Sequence, residues 1–71
     1  MVINKKVKLE LIGLDGNAFA LMGAFERQAR HEKWSAEEID NILNECTSGD
    51  YNHLLNTLME YCESPKQDND D

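Results

Sequence analysis

The chain has 71 residues, a formal net charge of −7 and a hydrophobic fraction of 41%. This length allows one small folded domain and excludes a second hydrophobic core. No stretch approaches the roughly 20 consecutive apolar residues of a membrane-spanning helix, and the first residues lack the apolar segment of a secretory signal peptide. We therefore expect a cytoplasmic protein that does not bind membranes.

The first predicted element is a β-strand over residues 7–12. Its side chains alternate, with Val7, Leu9 and Leu11 on one face and Lys8, Glu10 and Ile12 on the other. This is the period of a half-buried strand. A lone strand leaves its backbone hydrogen-bonding groups unpaired, and no turn signal precedes it that would fold the first residues back. We expect residues 7–12 to pair with the same strand of a second copy in a homodimer, or with a strand of another protein.

A turn over residues 13–17 leads into the first predicted helix. Asn17, or alternatively Asp15, is suited to cap the helix, because a short side-chain oxygen accepts a hydrogen bond from an unpaired backbone N–H there. The apolar residues then recur at helical spacing: Ala18, Leu21, Met22, Phe25 and Ala29. The basic residues at the end of this helix complement its dipole.

The second predicted helix begins at Ser35 with the sequence signature of a capping box, since Glu38 follows three residues later. Trp34 and Ile39 have the spacing of a hydrophobic staple across this helix start. The predicted buried stripe consists of Ile39, Ile42, Leu43 and Cys46. Gly49 is suited to a left-handed position after the helix.

The third predicted helix is capped by Asp50 and ends before Pro65. Its apolar face consists of Tyr51, Leu54, Leu55, Leu58, Met59 and Cys62. We predict a small α+β domain over residues 1–62, with one N-terminal strand and three helices, followed by a disordered acidic tail over residues 63–71. The predicted core consists of Leu9, Leu11, Leu21, Phe25, Ile39, Leu43, Leu54, Leu55 and Leu58.

Three kinds of chemical site are disfavoured by the residue pattern. The loop over residues 13–16 lacks the spacing of a dinucleotide-binding loop and the lysine of a P-loop. The candidate metal ligands are not at ligand spacing; they are His31, Cys46, His53 and Cys62. The same residues offer a formal Cys–His pair, but both thiols occupy apolar positions of helices, which favours buried, reduced cysteines over a nucleophile or a disulfide. We expect no cofactor and no catalytic residue.

The acidic charge is concentrated in the second half of the chain. Residues 34–65 contain seven Asp or Glu and no Lys or Arg. The second and third helices resemble a helix-turn-helix in outline, but phosphate contacts need clustered Lys and Arg, so direct nucleic-acid binding is disfavoured. An acidic face is most often simply solvated. Its alternative role is to bind a basic protein, and the candidate contact residues are Glu37, Glu38, Asp40, Glu45, Asp50 and Glu60.

Three segments resemble a family of short uncharacterised proteins of bacteria and their phages. They are DGNAF at residues 15–19, SAEEID at 35–40, and SGDY at 48–51 followed by Leu54 and Leu55. The resemblance extends over residues 7–61. It implies the cytoplasm of a bacterial cell or of a phage-infected host, and it provides no catalytic residue.

These observations predict a non-enzymatic interaction or regulatory protein. A phage-derived inhibitor that binds a basic host protein through the acidic helical face fits the pattern. The alternative is a small-ligand-binding or catalytic protein whose site lies at the turn formed by Asp15, Gly16 and Asn17 in a homodimer.

Overall fold

A computed structural model describes residues 5–11 and 13–63 of the chain. The elements, in chain order, are β1 (Val7–Lys8), α1 (Ala18–His31), α2 (Ala36–Cys46), α3 (Tyr51–Tyr61) and β2 (Cys62–Glu63). The predicted α+β architecture, with an N-terminal strand followed by three helices, is confirmed. Of the predicted tail, Glu63 belongs to β2, and residues 64–71 lie outside the described residues.

The strand β1 is shorter than predicted and has a partner within the chain. It pairs in parallel with β2, so that Val7 lies opposite Cys62 and Lys8 lies opposite Glu63. The Leu9 N–H also donates to the Glu63 carbonyl at 3.0 Å. In the described part of the chain, the ladder ends at this hydrogen bond because β2 consists of two residues, Cys62 and Glu63. The predicted alternation of burial nevertheless extends through residue 11, with residues 7, 9 and 11 less exposed than residues 8 and 10.

The other edge of β1 is held by a side chain from the end of α1. The Lys8 N–H, which faces away from β2, donates to Glu32 Oε2 at 2.7 Å. The Gln28 side-chain amide donates to the same oxygen at 2.7 Å. Pairing of this strand with a second copy stays a prediction, since a single chain does not test it. Such pairing would have to displace Glu32 from Lys8.

All three predicted helix caps are confirmed. The Asn17 side chain accepts from the Phe19 N–H at 2.8 Å, and Asp50 accepts from the His53 N–H at 2.9 Å. At the start of α2, the Ser35 hydroxyl accepts from the Glu38 N–H at 3.1 Å, and the Glu38 carboxylate accepts from the Ser35 N–H at 2.9 Å. The capping box is therefore complete, and these short local patterns fix where each helix begins.

The prediction for Gly49 is wrong, because among the described residues only Gly13 and Lys33 have positive φ. The α2 helix ends at Cys46 and is capped instead by Thr47, with φ −93°. A Cβ at residue 49 would lie 2.8 Å from His53 Cγ and 2.9 Å from His53 Cβ. Glycine is needed at this position because the first turn of α3 passes so close to it.

The core lies where the three helices meet the short strand. Phe25 and Trp34 pack edge to face at its centre, with ring centroids 5.6 Å apart. The buried hydrophobic residues are Val7, Leu21, Phe25, Ala29, Trp34, Ile39, Ile42, Cys46, Leu54, Leu58 and Cys62. Four residues predicted to be in the core are only partly buried: Leu9, Leu11, Leu43 and Leu55. The short ladder explains part of this difference, since it places Val7 at the centre of the core and leaves Leu9 and Leu11 at the edge of the core.

Candidate partner-binding groove

A groove of about 490 Å³ runs between α2 and α3 on the acidic side of the protein. It is lined by Asn41, Ile42, Glu45, His53, Asn56, Thr57, Glu60 and Tyr61. The floor includes the buried side chains of Ile42 and Thr57, and the Thr57 hydroxyl is satisfied by the His53 carbonyl at 2.8 Å. Among the described residues, the exposed rim carries carboxylates, amides and His53 but no Lys or Arg, so the groove presents hydrogen-bond acceptors and negative charge.

The groove contains two of the six predicted contact residues, Glu45 and Glu60. Two others have structural roles within the chain. Asp50 caps α3, and Glu38 belongs to the capping box of α2. The remaining two, Glu37 and Asp40, are exposed on α2 but do not line the groove.

Glu38 is also engaged by Lys5. The Lys5 ammonium lies 2.7 Å from Glu38 Oε1 and 4.7 Å from the centre of the Trp34 ring. The hydrogen bond from Lys5, together with the one from the Ser35 backbone, lowers the pKa of Glu38. Glu38 therefore fastens the start of α2 to the residues before β1, and its negative charge is already compensated within the chain.

His53 connects α3 to the end of α2 beside the groove. Its Nε2 atom lies 2.8 Å from Glu45 Oε2 and 3.3 Å from the Ser48 hydroxyl. A Ser–His–acid triad requires the carboxylate and the hydroxyl on opposite ring nitrogens. Here both partners contact the same nitrogen, and the Ser48 hydroxyl donates to the Glu45 carbonyl at 2.8 Å. This cluster orients the Glu45 carboxylate and does not form a nucleophile.

The two cysteines are buried and free. Burial raises the pKa of Cys46 to about 11 and that of Cys62 to about 12, with the neighbouring Cys46 adding to the second shift. Since the thiolate is the nucleophile and the metal ligand, these raised pKa values disfavour either role for the two thiols at neutral pH. Among the described residues, no group of three or more His, Cys, Asp or Glu side chains is arranged to hold a metal ion.

At the alternative site, the Asp15–Asn17 turn, the polar side chains form hydrogen bonds with the backbone. The Asp15 carboxylate accepts from the Asn17 N–H at 3.0 Å, and the Asn17 side chain caps α1. The Tyr51 hydroxyl donates to the Gly16 carbonyl and joins the turn to α3. These contacts give the turn residues a structural role in the fold.

No helix in the described part of the chain is long and apolar enough to cross a membrane. Comparison of the chain with protein-family models, with curated proteins and with solved structures finds no match.

The sequence predicted the acidity of this surface but not the groove. Asn41, His53 and Asn56 were missed as groove residues, because each is an ordinary polar residue on a helix. The available signal was their spacing. Asn41 and Glu45 are four residues apart on α2, and His53 and Asn56 are three apart on α3, so each pair lies on one side of its helix. Only the packing of α2 against α3 brings the two pairs to one groove.

Proposed function

We propose that this chain is a non-enzymatic interaction protein that binds a basic segment of a partner protein in the α2–α3 groove. The observation that supports this proposal best is the groove itself, about 490 Å³ in volume with Glu45 and Glu60 on its lining. Neither of the two helices that form it contains a Lys or Arg. A Lys or Arg side chain of a partner would find carboxylates and amide oxygens there without a competing Lys or Arg from the same helices.

The setting that we propose is the cytoplasm of a bacterial cell or of a phage-infected host, where the protein inhibits or regulates a basic host protein. The resemblance to short bacterial and phage proteins supports this setting, and so do two free cysteines in a chain of this size. A basic partner is itself expected to bind nucleic acid, so an acidic groove would compete with that polyanion.

The test compares Glu60→Lys with Glu37→Lys. Each substitution changes the net charge of the chain from −7 to −5, but only Glu60 lines the groove. Each tagged variant would be used to capture proteins from a bacterial lysate at low salt. We expect the wild-type chain and Glu37→Lys to retain a basic partner and Glu60→Lys to lose it. We also expect high salt to release the partner, since exposed charge contacts are screened.

Equal loss of the partner in both variants would show that only overall charge matters and would contradict a groove. Retention by both variants would contradict an acidic contact altogether. Glu38 is unsuitable for this test, because its replacement would remove the capping box and the contact with Lys5.

A further inference from the structure

Three large apolar side chains are exposed around the start of α1. Phe19 has 81% of its surface exposed, Tyr51 has 45% and Leu14 has 37%. Phe19 and Tyr51 also lie on the rim of a second cavity of about 300 Å³, which is lined mainly by apolar residues that include Met22 and Leu54. Exposed apolar side chains gathered at one place on a small domain indicate a contact surface.

Gly23 lies at the centre of the solvent-facing side of α1. It is two residues from each of the buried residues Leu21 and Phe25, and residues two positions apart lie on nearly opposite sides of a helix. A Cβ at this position would meet nothing within 4 Å, so no contact inside the described chain requires a glycine here. An exposed glycine within a helix makes the helix less stable than alanine would. Glycine in return lets another backbone approach closely.

Charges of opposite sign lie at the two ends of the same surface. Arg27 is exposed four residues after Gly23, as Phe19 is four residues before it, and Arg27 forms no ion pair with another described residue. At the other end, Asp15 precedes α1 and Asp50 lines the cavity beside Phe19. The surface around α1 therefore carries a cation at one end, supplied by α1 itself, and two carboxylates at the other end, from the turn before α1 and the start of α3.

We propose that α1 packs antiparallel against α1 of a second copy, with the twofold axis at Gly23. In such a pair, positions equally far before and after residue 23 meet, so Phe19 of each copy faces Arg27 of the other. A guanidinium over an aromatic ring is attractive, and the acids beside Phe19 complement the charge of the incoming arginine. The contact is isologous, because each copy contributes the same surface.

This surface is distinct from the α2–α3 groove and does not depend on the function proposed for it. It also moves the homodimer contact away from β1, where Glu32 already accepts the outward N–H of Lys8. A second copy is favoured over another protein as the occupant because α1 itself supplies the cation that the acidic end of the surface requires.

The test is sedimentation equilibrium of the full chain from micromolar to millimolar concentration. We expect the average mass to rise from 8.1 kDa toward twice that value. Phe19→Ser and Arg27→Gln should each raise the dissociation constant at least about tenfold, since each removes a side chain from the centre of the contact. Met59→Ser is the matched control. Met59 is an apolar side chain on α3 that is 62% exposed, and its replacement should leave the constant unchanged.

Gly23→Gln separates the fold from the contact. A glutamine favours the helix over glycine, so the thermal midpoint of the monomer should hold or rise, while the dissociation constant should rise at least about tenfold because the added side chain keeps the helices apart. A chain that stays at 8.1 kDa at every concentration, or a dimer that neither Phe19→Ser nor Arg27→Gln weakens, would overturn the proposal. Circular dichroism confirms that each variant is folded.

Discussion

Lys33 occupies a backbone conformation that usually belongs to glycine. Its φ is 70°, and it follows Glu32, the C-cap of α1, in a Schellman motif. The Trp34 N–H donates to the Ala29 carbonyl at 2.9 Å, and the Lys33 N–H donates to the Arg30 carbonyl at 3.0 Å. This motif turns the chain so that Trp34 enters the core.

A left-handed conformation costs an L-residue roughly 1–2 kcal/mol. Replacement by glycine removes this cost, but part of the gain is offset because glycine has more conformational freedom in the unfolded chain. We therefore expect Lys33→Gly to raise the free energy of unfolding by about 0.5–1 kcal/mol, measured by urea denaturation. Lys33→Ala is the control, since alanine keeps the Cβ and should bring no such gain. A glycine variant less stable than the alanine variant would argue against this backbone conformation.

At the scale of elements, Glu32 fastens β1 to the end of α1. The hydrogen bond from Gln28 is the largest cause that lowers the pKa of Glu32; burial opposes it, and the bond from the Lys8 backbone adds a further lowering. A carboxyl group whose pKa is lower in the folded state stabilises the fold above its ordinary pKa, here 4.5. That contribution is lost as the pH falls through the lowered value.

Glu32→Gln removes this titration while keeping the size of the side chain. We expect the variant to be less stable than the wild type at pH 7, by up to about 1 kcal/mol for a partly exposed carboxylate. The difference should shrink as the pH falls below the ordinary carboxyl pKa, because the wild-type carboxylate then becomes neutral too. Glu38 titrates in both proteins and cancels in the comparison. The free energies of unfolding of the two proteins would be measured by urea denaturation across this pH range. A difference between them that does not change with pH would contradict the role of Glu32.

The elements that sequence predicts well here are those encoded locally. Asn17, Ser35 and Asp50 each specify a helix start through an oxygen that reaches a backbone N–H two or three residues away. The strand β2 is different. Cys62 and Glu63 have no strand pattern of their own, and they become a strand only because three helices return them to Val7 and Lys8. The role of Gly49 is likewise not encoded locally, because it depends on the position of His53.

At the scale of the whole molecule, the two contact surfaces that we propose lie on different helices. The α2–α3 groove is acidic, and the exposed side of α1 carries Phe19, Gly23 and Arg27. Composition predicts the acidity of the first surface, since residues 34–65 lack Lys and Arg. The groove does not follow from the sequence, because it forms only when α2 packs against α3. Helical spacing does place Phe19 outside the predicted apolar face of α1, two residues before Leu21, but its position beside Tyr51 depends on the packing.

The central claim, that the α2–α3 groove binds basic segments, is tested most directly by NMR titration of the ¹⁵N-labelled chain with a short oligo-arginine peptide at low salt. We predict that the side-chain amide signals of Asn41 and Asn56, which line the groove, shift on titration and return at high salt. Those of Asn44 and Asn52, which are exposed outside the groove, should stay in place. Equal shifts at all four asparagines, or none at Asn41 and Asn56, would contradict the claim.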